Sequence, residues 1–323
     1  MASKINSLLT QFLEYLEIEK NRSQLTVRNY DFYLKRFLEF AKIENPSQVD
    51  LEKVRQFRLY LNRLVIKGKP LKKSTQNYHI IAIRSFLKFM AKRDVKTLAP
   101  EKLELAKIGE RSVDFLEGSD LERLLATPLK TAEPEIIKLR DKAILELLFS
   151  AGLRVSELVS LKVDSINLNK DEFTIRGKGD KPRVVFLSNQ ARTAIKQYLQ
   201  SRHDVEPWLF IRHDRAARAS NKKQETNIKQ NSNFKSQNFN GLTPRSVQRL
   251  IEKYSHAAGI TKHVTPHTLR HSYATDLLMN GADIRSVQAM LGHASITTTQ
   301  IYTHITNAQL REVHKAFHGR KRK

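Results

Sequence analysis

Residues 140–158 read RDKAILELLFSAGLRVSEL, and their pattern decides how the chain folds. From Arg140 to Phe149 the stretch is apolar on most sides. It predicts a helix buried all round, the centre of a domain core rather than its surface. That helix stops at Gly152, and Arg154 opens the next one. An arginine there faces the positive end of a helix dipole, where an anion such as phosphate settles. Taken alone, Arg154 reads more readily as a surface side chain paired with Glu157.

Working outward, residues 1–92 read as helices only. Leu8, Leu9, Phe12, Leu13 and Leu16 recur at helical spacing, as do Tyr30, Phe32, Tyr33, Leu34, Phe37, Leu38 and Phe40. A third helix is expected from about Val49 to Val65, ended by the turn Lys67-Gly68-Lys69-Pro70. Ser74 or Thr75 is expected to cap a fourth. Residues 93–114 lose periodicity and read as an extended interdomain linker. A second domain spans 115–323 and contains two β-type runs, 172–176 and 183–187, that flank Gly177-Lys178-Gly179-Asp180-Lys181 as a hairpin. Helices are expected near Asn189, after 261 and after 281. Residues 214–241 are rich in Asn, Gln, Lys and Ser and read as a mobile insertion, or as a polar loop ordered by a bound partner. Residues 307–317 fit a short amphipathic helix, and 319–323 form a basic tail. The fold class is therefore mainly α with a small β-hairpin (α+β), in two domains.

Composition narrows the function. The 323 residues hold 57 Lys+Arg against 33 Asp+Glu, a formal charge of +24, so acidic substrates, acidic membranes or nucleic acid are the candidate partners. There is no cysteine, which excludes disulfides, thiolate metal sites and a cysteine nucleophile. No apolar run reaches the roughly 18 residues of a membrane span, and the first twenty residues lack the short apolar block of a signal peptide. A soluble, cytoplasmic protein is expected.

Two further clusters carry chemistry. In Pro266-His267-Thr268-Leu269-Arg270-His271-Ser272-Tyr273-Ala274-Thr275, His267, Arg270 and His271 share one helix face. The H-x-x-x-H pair lacks the glutamate that follows the first histidine of a zinc protease, so no metal is expected. A phosphate site is the better reading, with a bidentate arginine and a histidine whose proton can move. In residues 290–304, MLGHASITTTQIYTH, a helix ends at Gly292, a Ser/Thr-rich stretch follows, and Tyr302 sits in polar surroundings. His271 and Tyr273 read as packing groups, Glu157 as a residue that orients Arg154, and Trp208 with Leu209 and Phe210 as core.

The motifs AGLRVSEL, GKGDKPR, HTLRHSYAT and LGHASITTTQIYTH, in this order, resemble those of the tyrosine recombinases of the integrase superfamily, and most closely the Xer-like branch. The likeness runs over essentially the whole chain. The insertion at 214–241 departs from it and leaves that loop without an assigned role. The resemblance implies a two-domain C-shaped clamp: an N-terminal helical core-binding (SAM-like) domain, a linker, and a C-terminal catalytic domain, closing on double-stranded DNA. It implies a homotetramer, or a heterotetramer with a paralogue, that exchanges strands through a Holliday junction, with a septal DNA translocase as a candidate activating partner. Chromosome dimer resolution at a dif-like site is the implied role. Integration of a mobile element or phage, or DNA-binding regulation without catalysis, are the alternatives.

The resemblance also distributes roles. Tyr302 corresponds to the nucleophile that forms a 3′-phosphotyrosyl bond. Arg154 and Arg270 correspond to the pair that clamps the non-bridging oxygens, and Lys178 to the acid that protonates the leaving 5′-oxygen. His267 corresponds to the histidine assisting proton transfer, and His293 to the one hydrogen-bonding the phosphate. Lys181 and Arg183, beside the hairpin tip, are expected to touch the DNA backbone without taking part in chemistry. No cofactor is implied. Elementary chemistry makes the same demands. A phosphodiester is anionic, so a nucleophile approaches only where charge is neutralised, and a tyrosine with pKa near ~10 needs a base or a cationic field. There is no Walker A pattern and no acidic cluster resembling a two-metal nuclease site.

Overall fold

The computed structural model describes residues 4–66, 68–107, 109, 114–177, 182–213 and 241–292. The expected insertion 214–241, except Gly241, lies outside them, as do the segment 307–317 and the basic tail. The chain divides into two compact units, Met1–Glu110 and Arg111–Lys323.

The first unit is built on α1 (Lys4–Ile18), α2 (Gln24–Phe40), α3 (Leu51–Arg63) and α4 (Lys73–Ala91). Ser23 caps α2 by accepting from the Thr26 N–H, and Asp50 caps α3 by accepting from the Lys53 N–H at 2.7 Å. The apolar faces meet in an aromatic centre in which Phe12 lies 5.3 Å from both Phe86 and Phe89, and Phe37 lies 5.1 Å from Phe57.

Three expectations are corrected here. The unit is not wholly helical: β1 (Val65–Ile66) pairs antiparallel with β2 (Lys69–Pro70) around Gly68, whose φ of +74° reverses the chain. The fourth helix starts before Ser74, because the Lys72 carbonyl already accepts from Thr75 and Gln76 and the Leu71 N–H donates to Leu64 from the hairpin side. Much of 93–114 is not an extended linker. Leu103 is fully buried in the aromatic core with Val95 and Leu98 packed beside it, and Asn77 exchanges two hydrogen bonds with the Ala106 backbone, at 2.9 and 3.1 Å. Sparse apolar residues at irregular spacing, each seated in a preformed pocket, leave no periodicity to read.

The second unit surrounds α6 (Glu135–Ala151), in which Ala143, Ile144, Leu145, Leu147 and Leu148 are completely buried. Around it pack α5 (Gly118–Ala126), α8 (Asn189–Gln200) and α10 (Pro266–Met279). Polar groups that share this interior are paired. Asp141 accepts from the Tyr254 hydroxyl at 2.8 Å and is held by Arg140, and Glu146 pairs with Lys142 at 2.6 Å. The short α7 (Val155–Val159) follows α6. Strands β3 (Glu172–Arg176) and β4 (Pro182–Phe186) form the expected antiparallel hairpin, with Phe173, Ile175 and Val185 turned inward.

A helix absent from the sequence reading, α9 (Pro244–Ala257), buries Val247, Leu250, Ile251 and Tyr254. Its signals were a Thr243 cap followed by Pro244 and an apolar i, i+3, i+4, i+7 stripe. The final described helix is α11 (Ile284–Leu291). The polar segment between α8 and α9 is bracketed by a bridge from Ile211 to Gly241, and the Leu242 N–H donates to Phe210 at 3.1 Å. Trp208 is half-buried and bridges Lys162, while Leu209 and Phe210 are in the core. No described helix is long and apolar enough to cross a membrane.

Candidate functional site

The site is assembled where three chain ends meet: the turn from α6 to α7, the first half of α10, and the C-terminus of α11. Gly152 ends α6 in the left-handed conformation, φ 56° and ψ 34°. The Tyr273 ring lies against it, so closely that a methyl group there would come within 2.8 Å of Cε1 and nearer still to Cδ1. This turn delivers Arg154 to the N-cap of α7.

Arg154 is fixed by its neighbour one turn on. Its backbone N–H donates to Glu157 Oε2 at 2.8 Å, its Nη1 to Glu157 Oε1 at 2.8 Å, and its Nη2 to the Gly292 carbonyl at 3.1 Å. Glu157 is itself buried. Burial opposes its ionisation, but hydrogen bonds from Arg183 and Arg154 outweigh that and hold its pKa below the usual carboxylate value. Arg270, 4% exposed on α10, donates through Nη1 to the Gly152 carbonyl and through Nη2 to the Leu291 carbonyl. Each arginine therefore ties the α6–α7 turn to the end of α11, or to a group beside it. Their planes are set before any ligand arrives, which lowers the ordering cost of binding an anion there.

His267 lies one turn before Arg270 and reaches the surface. Partial shielding from water, then the charges of Arg270 and Arg154, push its pKa below 6.5, so it is neutral at pH 7 and able to accept a proton. His271 is more enclosed. Burial, then the charges of His267 and Arg270, push it down to about 4, consistent with a packing role. Tyr273 joins Ala274, Leu278, Val287 and Leu291 in a small core that welds α10 to α11. Ser272 accepts from the Leu116 N–H at 2.9 Å and so pins the start of the unit to α10. Among the described residues no group of three or more His, Asp or Glu side chains is arranged to hold a metal ion.

Of the residues singled out in the sequence, the structure brings Arg154, Arg270 and His267 together. Lys178, Lys181, His293 and Tyr302 lie outside the described residues. The chain runs toward Lys178 and Lys181 through the paired ends of β3 and β4, at Arg176 and Pro182, and toward His293 from the left-handed C-cap of α11 at Gly292.

One expectation is corrected. Arg183 does not stand out at the surface as a hairpin side chain would: it is 8% exposed, and its two Nη atoms grip the two Glu157 oxygens at 2.7 and 2.8 Å. The signal was present in the strand. Val185 points inward, and the two-residue period of β4 puts Arg183 on the same face. The sequence reading also missed the carbonyls of Gly152, Leu291 and Gly292 as arginine acceptors. Backbone groups leave no mark in a sequence beyond the glycines that free them.

Residues 114–309 match the Phage integrase family, and residues 9–94 match the family's N-terminal SAM-like domain. The chain is 34% identical over 311 residues to the tyrosine recombinase XerC of Thermodesulfovibrio yellowstonii, covering 96% of this chain and 95% of that one. It is 33% identical over 321 residues to the tyrosine recombinase XerD of Listeria monocytogenes, covering 98% and 100%. Among solved structures, the XerH site-specific recombinase bound to palindromic difH substrate has the same fold, with a TM-score of 0.67 at 22% identity, covering 94% of this chain and 83% of that one. A pair of preset arginines, one buried and one half-buried, beside a neutral histidine, on a chain alike to these relatives from end to end, belongs to a tyrosine recombinase of the Xer-like branch of the phage integrase family.

Proposed function

We propose that this enzyme cuts and rejoins duplex DNA at a specific site through a 3′-phosphotyrosyl intermediate, with Tyr302 as nucleophile. The observation that carries the reading is the convergence of Arg154 and Arg270 on one turn, with His267 lying within reach of both their charges. Two fixed guanidinium groups suit the non-bridging oxygens of a phosphodiester, whose charge grows in the transition state. In the step, the Tyr302 oxygen bonds to phosphorus and the bond from phosphorus to the 5′-oxygen breaks. Lys178 gives a proton to that leaving oxygen. The phenolic proton of Tyr302 passes to neutral His267, which is how that histidine assists proton transfer, and His293 hydrogen-bonds the phosphate. The energy of the broken ester is kept in the phosphotyrosine, so a 5′-hydroxyl reseals the strand without a nucleotide cofactor.

The N-terminal helical unit and the catalytic unit both bind the duplex, helped by a net charge of +24 that gives salt-dependent, sequence-independent affinity. The active species is a tetramer on two sites, working in the cytoplasm. Its role is resolution of chromosome dimers at a dif-like site, which fits relatives named XerC and XerD along the full length of the chain.

The test is covalent trapping in EDTA. Wild type and Tyr302→Phe are mixed with nicked duplexes carrying candidate repeats from the source genome, then denatured and separated on a gel. A denaturant-resistant adduct with wild type alone is expected. An adduct that persists in Tyr302→Phe would overturn the assignment of the nucleophile. DNA bound equally by both proteins, with no adduct at any repeat, would favour a regulator that does not cut.

A further inference from the structure

The buried ion cluster around Glu157 contains one more charge than the anion clamp needs. Four donors converge on its two carboxylate oxygens: the backbone N–H and Nη1 of Arg154, and both Nη atoms of Arg183. With Arg154 alone, Glu157 would neutralise the guanidinium meant for the phosphate. Two guanidinium charges against one carboxylate leave one net positive charge, and it falls on the more accessible partner, since the Arg154 side chain is 25% exposed and that of Arg183 only 8%. Arg183 also packs along the α11 C-cap. A Cβ on Gly292 would meet Arg183 Cδ at 2.8 Å and Nη1 at 3.2 Å, and the carbonyl of that same glycine receives Arg154 Nη2. Arg183 thus touches two of the groups that hold Arg154, and its own side chain is almost wholly covered by protein.

We propose that Arg183 is a positioning residue for strand cleavage: its fork locks Glu157, and its charge offsets that carboxylate, so that Arg154 stays aimed at the scissile phosphate and un-neutralised. This rests on the reading that Arg154 clamps a phosphodiester attacked by Tyr302. No bond of that reaction involves Arg183. A lysine in its place keeps the charge but cannot span both oxygens, and a methionine keeps neither fork nor charge.

The experiment compares wild type, Arg183→Lys and Arg183→Met on nicked duplexes. The scissile linkage is either the natural phosphodiester or a methylphosphonate, which is neutral and has less need of a cationic clamp. DNA affinity, its salt dependence, melting temperature and the single-turnover rate of adduct formation are measured. On the phosphodiester, cleavage is expected to slow about 10-fold in Arg183→Lys and about 100-fold in Arg183→Met, with affinity unchanged. On the methylphosphonate both are expected within about threefold of wild type.

Wild-type rates in both variants would overturn the proposal. So would equal slowing on both substrates, which marks a merely structural role. Weaker binding with a salt slope lower by about one would mark Arg183 as a phosphate contact after all. If Arg183→Met does not fold, Arg183→Lys must by itself show the preference for the neutral substrate, and its absence counts against the proposal. No adduct with wild type on either substrate would instead bring down the functional reading, and this proposal with it.

Discussion

Replacing Gly152 by alanine strikes the turn on which both arginines depend, and its cost can be worked from two features of the structure. At φ 56° and ψ 34° the residue is in the left-handed region, where a side chain costs about 1–2 kcal/mol. The added methyl would also stand 2.8 Å from Tyr273 Cε1, well inside van der Waals contact. Tyr273 cannot swing away, because it is 8% exposed and packed with Leu278 and Leu291, so overpacking adds about 1–3 kcal/mol. The sum, about 2–5 kcal/mol, lowers the melting temperature of a unit this size by about 4–20 °C, centred near 10 °C. Trp208 is the chain's one tryptophan and lies in this unit, so its fluorescence follows the affected transition alone. Gly152→Ala is also expected to lose adduct formation below its melting point, because the Gly152 carbonyl receives Arg270. In a Tyr273→Leu background the contact part of the cost should vanish and the left-handed part remain. A melting temperature within about 1 °C of wild type would refute the reasoning. An undiminished penalty in the Tyr273→Leu background would show that the ring is not what excludes the methyl.

Two further outcomes are expected. His271 titrates near 4 in the folded chain against roughly 6.5 unfolded, so protonation favours the unfolded state. Its contribution is complete above about pH 6.5 and is lost as pH falls toward 4; after allowance for solvent screening the loss is about 1 kcal/mol by pH 5. Urea midpoints at pH 7.5 and 5.0 should converge in His271→Gln, and an unchanged slope would exclude this histidine as the cause. Replacing 215–239 by a short Gly-Ser join should leave the melting temperature and adduct formation unaltered, because the Ile211–Gly241 bridge already closes the fold beneath the segment. DNA affinity and its salt slope should fall as Arg215, Arg218, Lys222, Lys223, Lys229 and Lys235 are removed. Loss of all cleavage would contradict this.

Local chemistry was legible in the chain itself. The run 140–149, apolar on most sides, had to be a buried helix, and two alternating runs about a glycine-rich turn had to pair. The glycine after the buried helix and the arginine two residues later marked an anion site, and HTLRH put a histidine and a second arginine on one face. Each depends on residues within a turn or two of one another, a range over which periodicity and dihedral preference act.

Tertiary structure decided the remainder. It turned 93–107 from a linker into a strap on the first unit, through single side chains such as Leu103 and an Asn77–Ala106 pair 29 residues apart. It took Arg183 from the hairpin surface and set it against Glu157, 26 residues away. It gave Arg154 and Arg270 their aim by carbonyls of Gly292, Gly152 and Leu291, up to 138 residues distant along the chain. Sequence patterns report which residue types can share a helix or strand, but a charge's partner is whatever the packed core places within about 3 Å of it. For the groups that hold this site, that placement comes from the contact of α6, α10 and α11.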